Sequence, residues 1–255
     1  MADLRARLCD WWHQALLAIA FLTRLPVAGL LPAQIIPLSS AAWAFPLAGA
    51  LVGGAGALTL ILAVWAGLSP LAAALLGLAA MILTTGGLHE DGLADYADAT
   101  GGTTRERRLE IMRDSRIGSY GVLALLISVG LRVAAMAMVA PLALIGVAML
   151  SRAGMVVAMR ALPPARTDGL GHAARRPARR AVGAAVLLGL AGLLLTTGGQ
   201  GALLALTCLA AQALTAWRAV RLMGGQTGDV LGTIQQTGEI ATLIALMALT
   251  GHAQS

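Results

Sequence analysis

The sequence predicts an all-α integral membrane protein, a polytopic helical bundle of about seven transmembrane helices, and three observations carry that prediction. Hydrophobic residues fill 58% of the 255 positions and mean hydropathy is +0.80. Charged residues make up 12%, about half the share usual in a soluble domain. The apolar runs are continuous rather than alternating, and a backbone crossing lipid must satisfy its own hydrogen bonds, so helices are favoured over a barrel.

The expected spans, in order, are 41–66, 71–88, 120–140, 141–162, 181–197, 202–220 and 240–251, and a count of about six to eight accommodates the ambiguous ends. Residues 1–255 form one membrane-embedded domain. Within it 1–39 is expected to be interfacial or re-entrant, because Arg5 and Arg7 precede the apolar stretch 11–31, Arg24 lies inside it, and Pro26 and Pro32 interrupt its end. Gly49, Gly53, Gly54 and Gly56 are small enough to let a neighbouring helix approach closely. Segments 89–119, 163–180 and 221–239 carry most of the charge, whereas the turns at 67–70, 140–141 and 198–201 carry none. Successive pairs of spans therefore return the chain to one face. That face holds Arg105, Arg107, Arg108, Arg113, Arg116, Arg166, Arg175, Arg176, Arg179, Arg180 and Arg221. The positive-inside rule places it in the cytoplasm.

The net charge of +6 comes from 18 arginines and no lysine. In a membrane chain such charge is accounted for by cytoplasmic loops and lipid contact, and no nucleic-acid partner is inferred. Cys9 and Cys208 are far apart and lack metal-ligand spacing.

Residues 86–119 form a polar island that holds seven of the twelve acidic residues: Glu90, Asp91, Asp95, Asp98, Glu106, Glu110 and Asp114. Asp91, Asp95 and Asp98 follow an i, i+4, i+7 spacing, so on a helix their carboxylates share one face. Such a face repels itself unless a cation joins it. Mg2+ prefers oxygen ligands and is commonly held by one or two carboxylates plus substrate phosphate. Arg113, Asp114 and Arg116 follow directly, and arginine suits phosphate oxygens. Arg105, Arg107 and Arg108 fit a juxtamembrane patch on lipid headgroups better. Arg132, Arg152 and Arg160 fall in or beside spans, and Arg152 is the best placed to be a buried phosphate ligand or a partner for the acids. The last polar segment, with Gln226, Asp229 and Glu239 among several glycines, has the composition of a loop that approaches a ligand and equally that of a plain turn. His89 is a candidate general base, metal ligand or cap.

These residues resemble the cobalamin synthase family, the adenosylcobinamide-GDP ribazoletransferases, nearly end to end. The resemblance is carried by Phe21-Leu-Thr-Arg-Leu-Pro-Val27, Phe45-Pro46, Thr85-Gly-Gly-Leu-His-Glu-Asp-Gly-Leu-Ala-Asp95 with Asp98, and Arg108-Leu-Glu-Ile-Met-Arg-Asp-Ser-Arg-Ile-Gly118. It continues through Ser151-Arg152, Gly169-Leu-Gly171 and Gly224-Gly-Gln-Thr-Gly-Asp229, then Gly232, Gly238 and Glu239. Two positions depart from the family pattern, Glu90 where an apolar residue is usual and Gln236 where an acid is usual.

The resemblance implies a late step of cobalamin assembly at the bacterial inner membrane. α-Ribazole or its 5′-phosphate would attack the cobinamide-linked phosphorus of adenosylcobinamide-GDP and release GMP. Mg2+ would be held by Asp91, Asp95 and Asp98, with Arg113, Arg116 and Arg152 on phosphate oxygens and His89 or a carboxylate taking the proton. Asp114, Gln226, Asp229 and Glu239 complete the expected substrate-binding set. A homo-oligomer, or association with other late cobalamin-assembly enzymes, is compatible with it. Two rivals fit less well. A prenyltransferase with an aromatic acceptor normally needs a second acidic cluster, which Asp229 and Glu239 alone would have to supply. A secondary transporter would distribute charge through the bundle and onto the opposite face. The Asp91-Gly92-x-x-Asp95 spacing also resembles that of the CDP-alcohol phosphotransferases, by chemistry alone.

Overall fold

The computed structural model describes residues 2–166 and 176–252, with side chains placed from 9 to 166 and from 176 to 251. The Gly169-Leu-Gly171 motif, Arg175 and the side chains of Arg5 and Arg7 lie outside the described residues. The helices are α1 (Ala2–Leu22), α2 (Leu38–Ala41), α3 (Phe45–Trp65), α4 (Pro70–Thr85), α5 (Leu88–Ala99), α6 (Arg105–Ile111), α7 (Ser119–Met136), α8 (Ala143–Ala161), α9 (Arg179–Thr197), α10 (Gly201–Met223) and α11 (Gly228–His252). The all-α expectation holds.

Four stretches among the described residues are long and apolar enough to cross a membrane: Leu38–Trp65, Ser119–Met136, Ala143–Ala161 and Arg179–Met223. A fifth is added if α4 and α5 count as one bent span. The seven expected spans are thus grouped differently, for local reasons. Arg179–Met223 contains both α9 and α10, which fold back at Gly198, and a Cβ on Gly201 would press on Leu194. Ala185 and Ala219 share one core cluster while Leu193 and Leu204 share the other, as an antiparallel pair requires. α4 has only 16 residues. α11 starts at Gly228 rather than near 240, and buried Gln235, Gln236, Glu239 and Thr242 dilute its apolar character.

α1 is one helix and is not among the stretches apolar enough to span. Leu16, Ala18 and Leu22 are buried, and Trp43 Nε1 donates to Gln14 Oε1 at 2.8 Å, which fixes α1 beside the start of α3. Of the glycine run in α3, Gly49 and Gly53 meet the α8 backbone at Ala148 and Leu144, and Gly56 meets Met81 of α4. Gly54 faces open space.

The feature that positions the site is the junction of α4 and α5. Gly86 and Gly87 both adopt left-handed backbone, with φ of +68° and +72°, a conformation that costs other residues about 1 kcal/mol or more. They turn the chain through 90°. α5 thereby leaves the line of the apolar helix and carries its acids away from the span. It packs between α7 and α11.

Candidate active site

Two sets of charges grow from α5. The first is buried. Arg132 of α7, 2% exposed, donates from Nη1 to Glu90 Oε1 at 2.7 Å and from Nη2 to Glu239 Oε1 at 2.8 Å. Arg152 of α8 reaches Glu239 Oε2 at 3.6 Å and donates to the Ala148 carbonyl. Gln235 Nε2 donates to Glu239 Oε2 at 2.6 Å, and Gln236 bridges Arg132 and Glu90. A lone arginine inside a span is costly, by about 2.5–3.5 kcal/mol on insertion scales, and here each charge has an opposite partner. Arg152 and Glu239, both candidates for substrate contact, are therefore placed as each other's partners in the interior, so of the two roles open to Arg152 the structure shows the pairing with an acid.

The second set gathers where α5 meets the first turn of α11. A Cβ on Gly92 would lie 3.0 Å from the Asp229 Cα and carbonyl oxygen, so glycine lets the two backbones approach here without either giving way. Thr233 Oγ1 donates to the Gly92 carbonyl at 3.0 Å and clamps the two helices. Burial, followed by the charges of Asp91, Asp229 and Asp98, pushes the Asp95 carboxyl up to about 7, with Arg166 opposing. Burial also raises Asp229. Asp91, Asp95 and Asp229 thus repel one another, with Arg166 opposing. Among the described residues no three acidic, histidine or cysteine side chains form a ready-made metal cage. An all-oxygen set completed by substrate phosphate nonetheless suits Mg2+.

The remaining expected residues are distributed between structure and surface. Asp98 shares the α5 face but spends both oxygens on α7, accepting from the backbone N–H of Gly118 at 2.7 Å and of Gly121 at 2.9 Å. His89 is buried; burial and the Arg152 charge hold it down to about 3, so it is neutral at pH 7. Asp114 and Arg116 are joined in an exposed loop, the Nη2 to Oδ2 distance being 2.7 Å, and that bond holds Asp114 down to about 2. Arg113 is exposed in the same loop. Gln226 is buried and donates to the Met159 and Leu162 carbonyls, joining the end of α8 to the start of α11. The lipid-patch expectation is corrected for Arg105 and Arg108: Arg105 donates to the Met223 and Ala165 carbonyls and Arg108 to that of Leu222. Arg107 pairs with Glu110 on the surface.

Comparison with known proteins decides what this geometry belongs to. A family model described as cobalamin-5-phosphate synthase matches residues 14–247. The chain belongs to the cobalamin-5-phosphate synthase family. Relatives named adenosylcobinamide-GDP ribazoletransferase include that of Bradyrhizobium diazoefficiens, 49% identical over 239 residues covering 91% of this chain and 92% of the relative. That of Azorhizobium caulinodans is 48% identical over 246 residues, covering 90% and 93%, and that of Allorhizobium ampelinum is 41% identical over 247 residues, covering 91% and 95%. No solved structure matches.

In this member of the cobalamin-5-phosphate synthase family, the side chains at the two departures, Glu90 and Gln236, touch at 3.0 Å and both bond Arg132. Sequence reasoning missed the Arg132 contacts and the place of Arg166 beside the acids. The signal for the first was an arginine inside an apolar span facing a glutamate in the polar island.

Proposed function

We propose that this chain is an Mg2+-dependent adenosylcobinamide-GDP ribazoletransferase, acting at the cytoplasmic face of a bacterial inner membrane. The observation that supports it most is the Asp91, Asp95 and Asp229 cluster at the Gly92 contact, in a chain of this family. Asp91 and Asp229 would hold the ion, which when bound supplies neutralisation of the diphosphate's charge. Asp95, one helical turn along the same α5 face from Asp91, is placed to take the hydroxyl proton. A hydroxyl oxygen of ribazole or its 5′-phosphate forms a bond to the cobinamide-linked phosphorus. The bond from that phosphorus to the bridging oxygen breaks, GMP leaves with that oxygen, and Asp95 accepts the proton. Asp98 holds α5 against α7 and so positions Asp95. The clustering of Arg105, Arg108 and Arg166 bonds at the loop end, with the bias of arginines to that end, supports the cytoplasmic orientation.

The test is GMP release by protein purified in lipid, given adenosylcobinamide-GDP and ribazole or its 5′-phosphate, with Mg2+ and with EDTA. Metal-dependent GMP together with a corrinoid product is expected. Absence of both from folded protein would overturn the proposal.

A further inference from the structure

We infer that Thr227 is a positioning residue of the metal site, its hydroxyl setting the direction in which the Asp229 carboxylate meets the ion; this rests on the Mg2+ site proposed above. The main chain at Asp229 is held from two sides. Thr233 Oγ1 lies 2.8 Å from the Asp229 carbonyl oxygen and 3.0 Å from that of Gly92, which ties α11 to α5 beside both carboxylates. Upstream, the Gln226 N–H donates to the Pro163 carbonyl at 2.8 Å and the Ala165 N–H to the Gln226 carbonyl at 2.9 Å. With the backbone fixed, what remains to be set is the rotation of the Asp229 side chain.

Thr227 sets it. The residue is 5% exposed and caps the start of α11, its carbonyl accepting from the Leu231 N–H at 3.2 Å and its hydroxyl oxygen from the Val230 N–H at 3.2 Å. A hydroxyl carries one proton beside its lone pairs. Thr227 Oγ1 gives that proton to Asp229 Oδ2 at 3.2 Å. The cap bond and the β-branched side chain keep Oγ1 in one place, so a rigid donor orients the carboxylate. Two oxygens with about four lone-pair sites leave Asp229 able to accept this bond and ligate an ion as well. Asp91 lines the same cavity as Asp229, which two-carboxylate ligation requires. Burial raises the Asp229 carboxyl and the Thr227 bond opposes that rise, favouring the ionised form that binds metal. A cap needs only the acceptor; the donated proton is what positioning adds. Ligating carboxylates are themselves hydrogen-bonded, and losing such a partner typically costs about 10–100-fold in metal affinity or activity.

The test counts bound metal directly. Mn2+, which suits the same oxygen ligands as Mg2+ and is followed by its paramagnetic resonance signal, would be titrated against the full chain in phosphatidylcholine nanodiscs. Melting in EDTA and GMP release against Mg2+ concentration would be measured beside it. Thr227→Val keeps the shape and removes the hydroxyl. Thr227→Gly also removes it but remains a favourable cap residue, so a metal defect shared by both does not come from the cap. Thr227→Ser keeps donor and acceptor. Mn2+ affinity is expected to fall about tenfold or more in the valine and glycine variants and to stay within about threefold of wild type in the serine variant. The KM for Mg2+ in GMP release should rise in parallel, with kcat recovered at saturating Mg2+. Capping alone would lower the melting temperature and leave Mn2+ affinity unaltered in folded protein; that result, or a serine variant as weak as valine, would overturn the assignment. Wild type that binds no Mn2+ would overturn the metal site and the role of Thr227 together. Wild type that binds Mn2+, loses it in the valine and glycine variants and releases no GMP would overturn the transfer alone and uphold Thr227.

Discussion

Glu90 and Asp91 are adjacent on α5, yet their carboxylates live in different worlds. Glu90 is nine-tenths buried and bonded to Arg132 and Gln236; Asp91 is exposed and contributes to the repulsion that raises Asp95. One set of charges is neutralised within the protein and holds helices together. In the other, neighbouring carboxylates repel one another against the opposing charge of Arg166, and that is the cluster proposed above to hold Mg2+. A single helical step of about 100° separates architecture from chemistry.

The sharpest break of this contrast is Asp91→Asn. It should lower GMP release roughly a thousandfold, the loss expected when several kcal/mol of metal-borne charge stabilisation goes, while thermal unfolding in micelles stays unchanged; a fully active variant would refute the metal assignment. Arg132→Met does the reverse. It strands Glu90 without its cation, leaves Glu239 only Arg152 at 3.6 Å, and should destabilise the fold by about 3–5 kcal/mol, read from denaturant unfolding in mixed micelles.

Glu90→Gln removes one carboxylate but leaves Arg132 with Glu239, so a smaller loss of about 1–3 kcal/mol is expected. Adding Gln236→Glu should recover most of it, since that side chain already touches Arg132 at 3.2 Å. Failure of this exchange would separate Gln236 from the network.

pH should move the two regions apart. Asp95 must be ionised to take a proton, and Mg2+ on Asp91 and Asp229 would offset the charges that raise it, so GMP release should rise with pH along a limb centred below 7, and Asp95→Asn should slow the reaction and flatten that limb. Stability has the opposite sign. The folded-state value is raised from 3.8 to about 7, so the native state binds the extra proton across that window. Metal-free stability should decline as pH rises through it, and Asp95→Asn should lessen the decline. Melting curves with EDTA across the window check this. The smallest effect is expected of Arg116→Ala: its ion pair with Asp114 is exposed, so no change in melting temperature is expected, and any rise in KM for adenosylcobinamide-GDP would place the loop on the substrate.

Most of the helical architecture was legible because lipid imposes a local rule, that a long run of apolar side chains must be a helix. The acid spacing on α5 was legible for the same reason, since Asp91, Asp95 and Asp98 lie within one short element. The grouping of spans was less so: the polar first half of α11 reads as a loop until the partners of Gln235, Gln236 and Glu239 are known.

By itself, then, the sequence determined an all-helical membrane protein with an acidic helix after a glycine pair, because composition and i, i+4 spacing act over a few residues. Tertiary structure alone decided which charges are spent and which are available. The left-handed Gly86 and Gly87 swing α5 through 90°, and α11 then meets it from residues more than 100 positions away in the Gln236 to Glu90 and Thr233 to Gly92 contacts. Pairing energies depend on distance in space, and no local pattern encodes a distance that only the closed bundle creates.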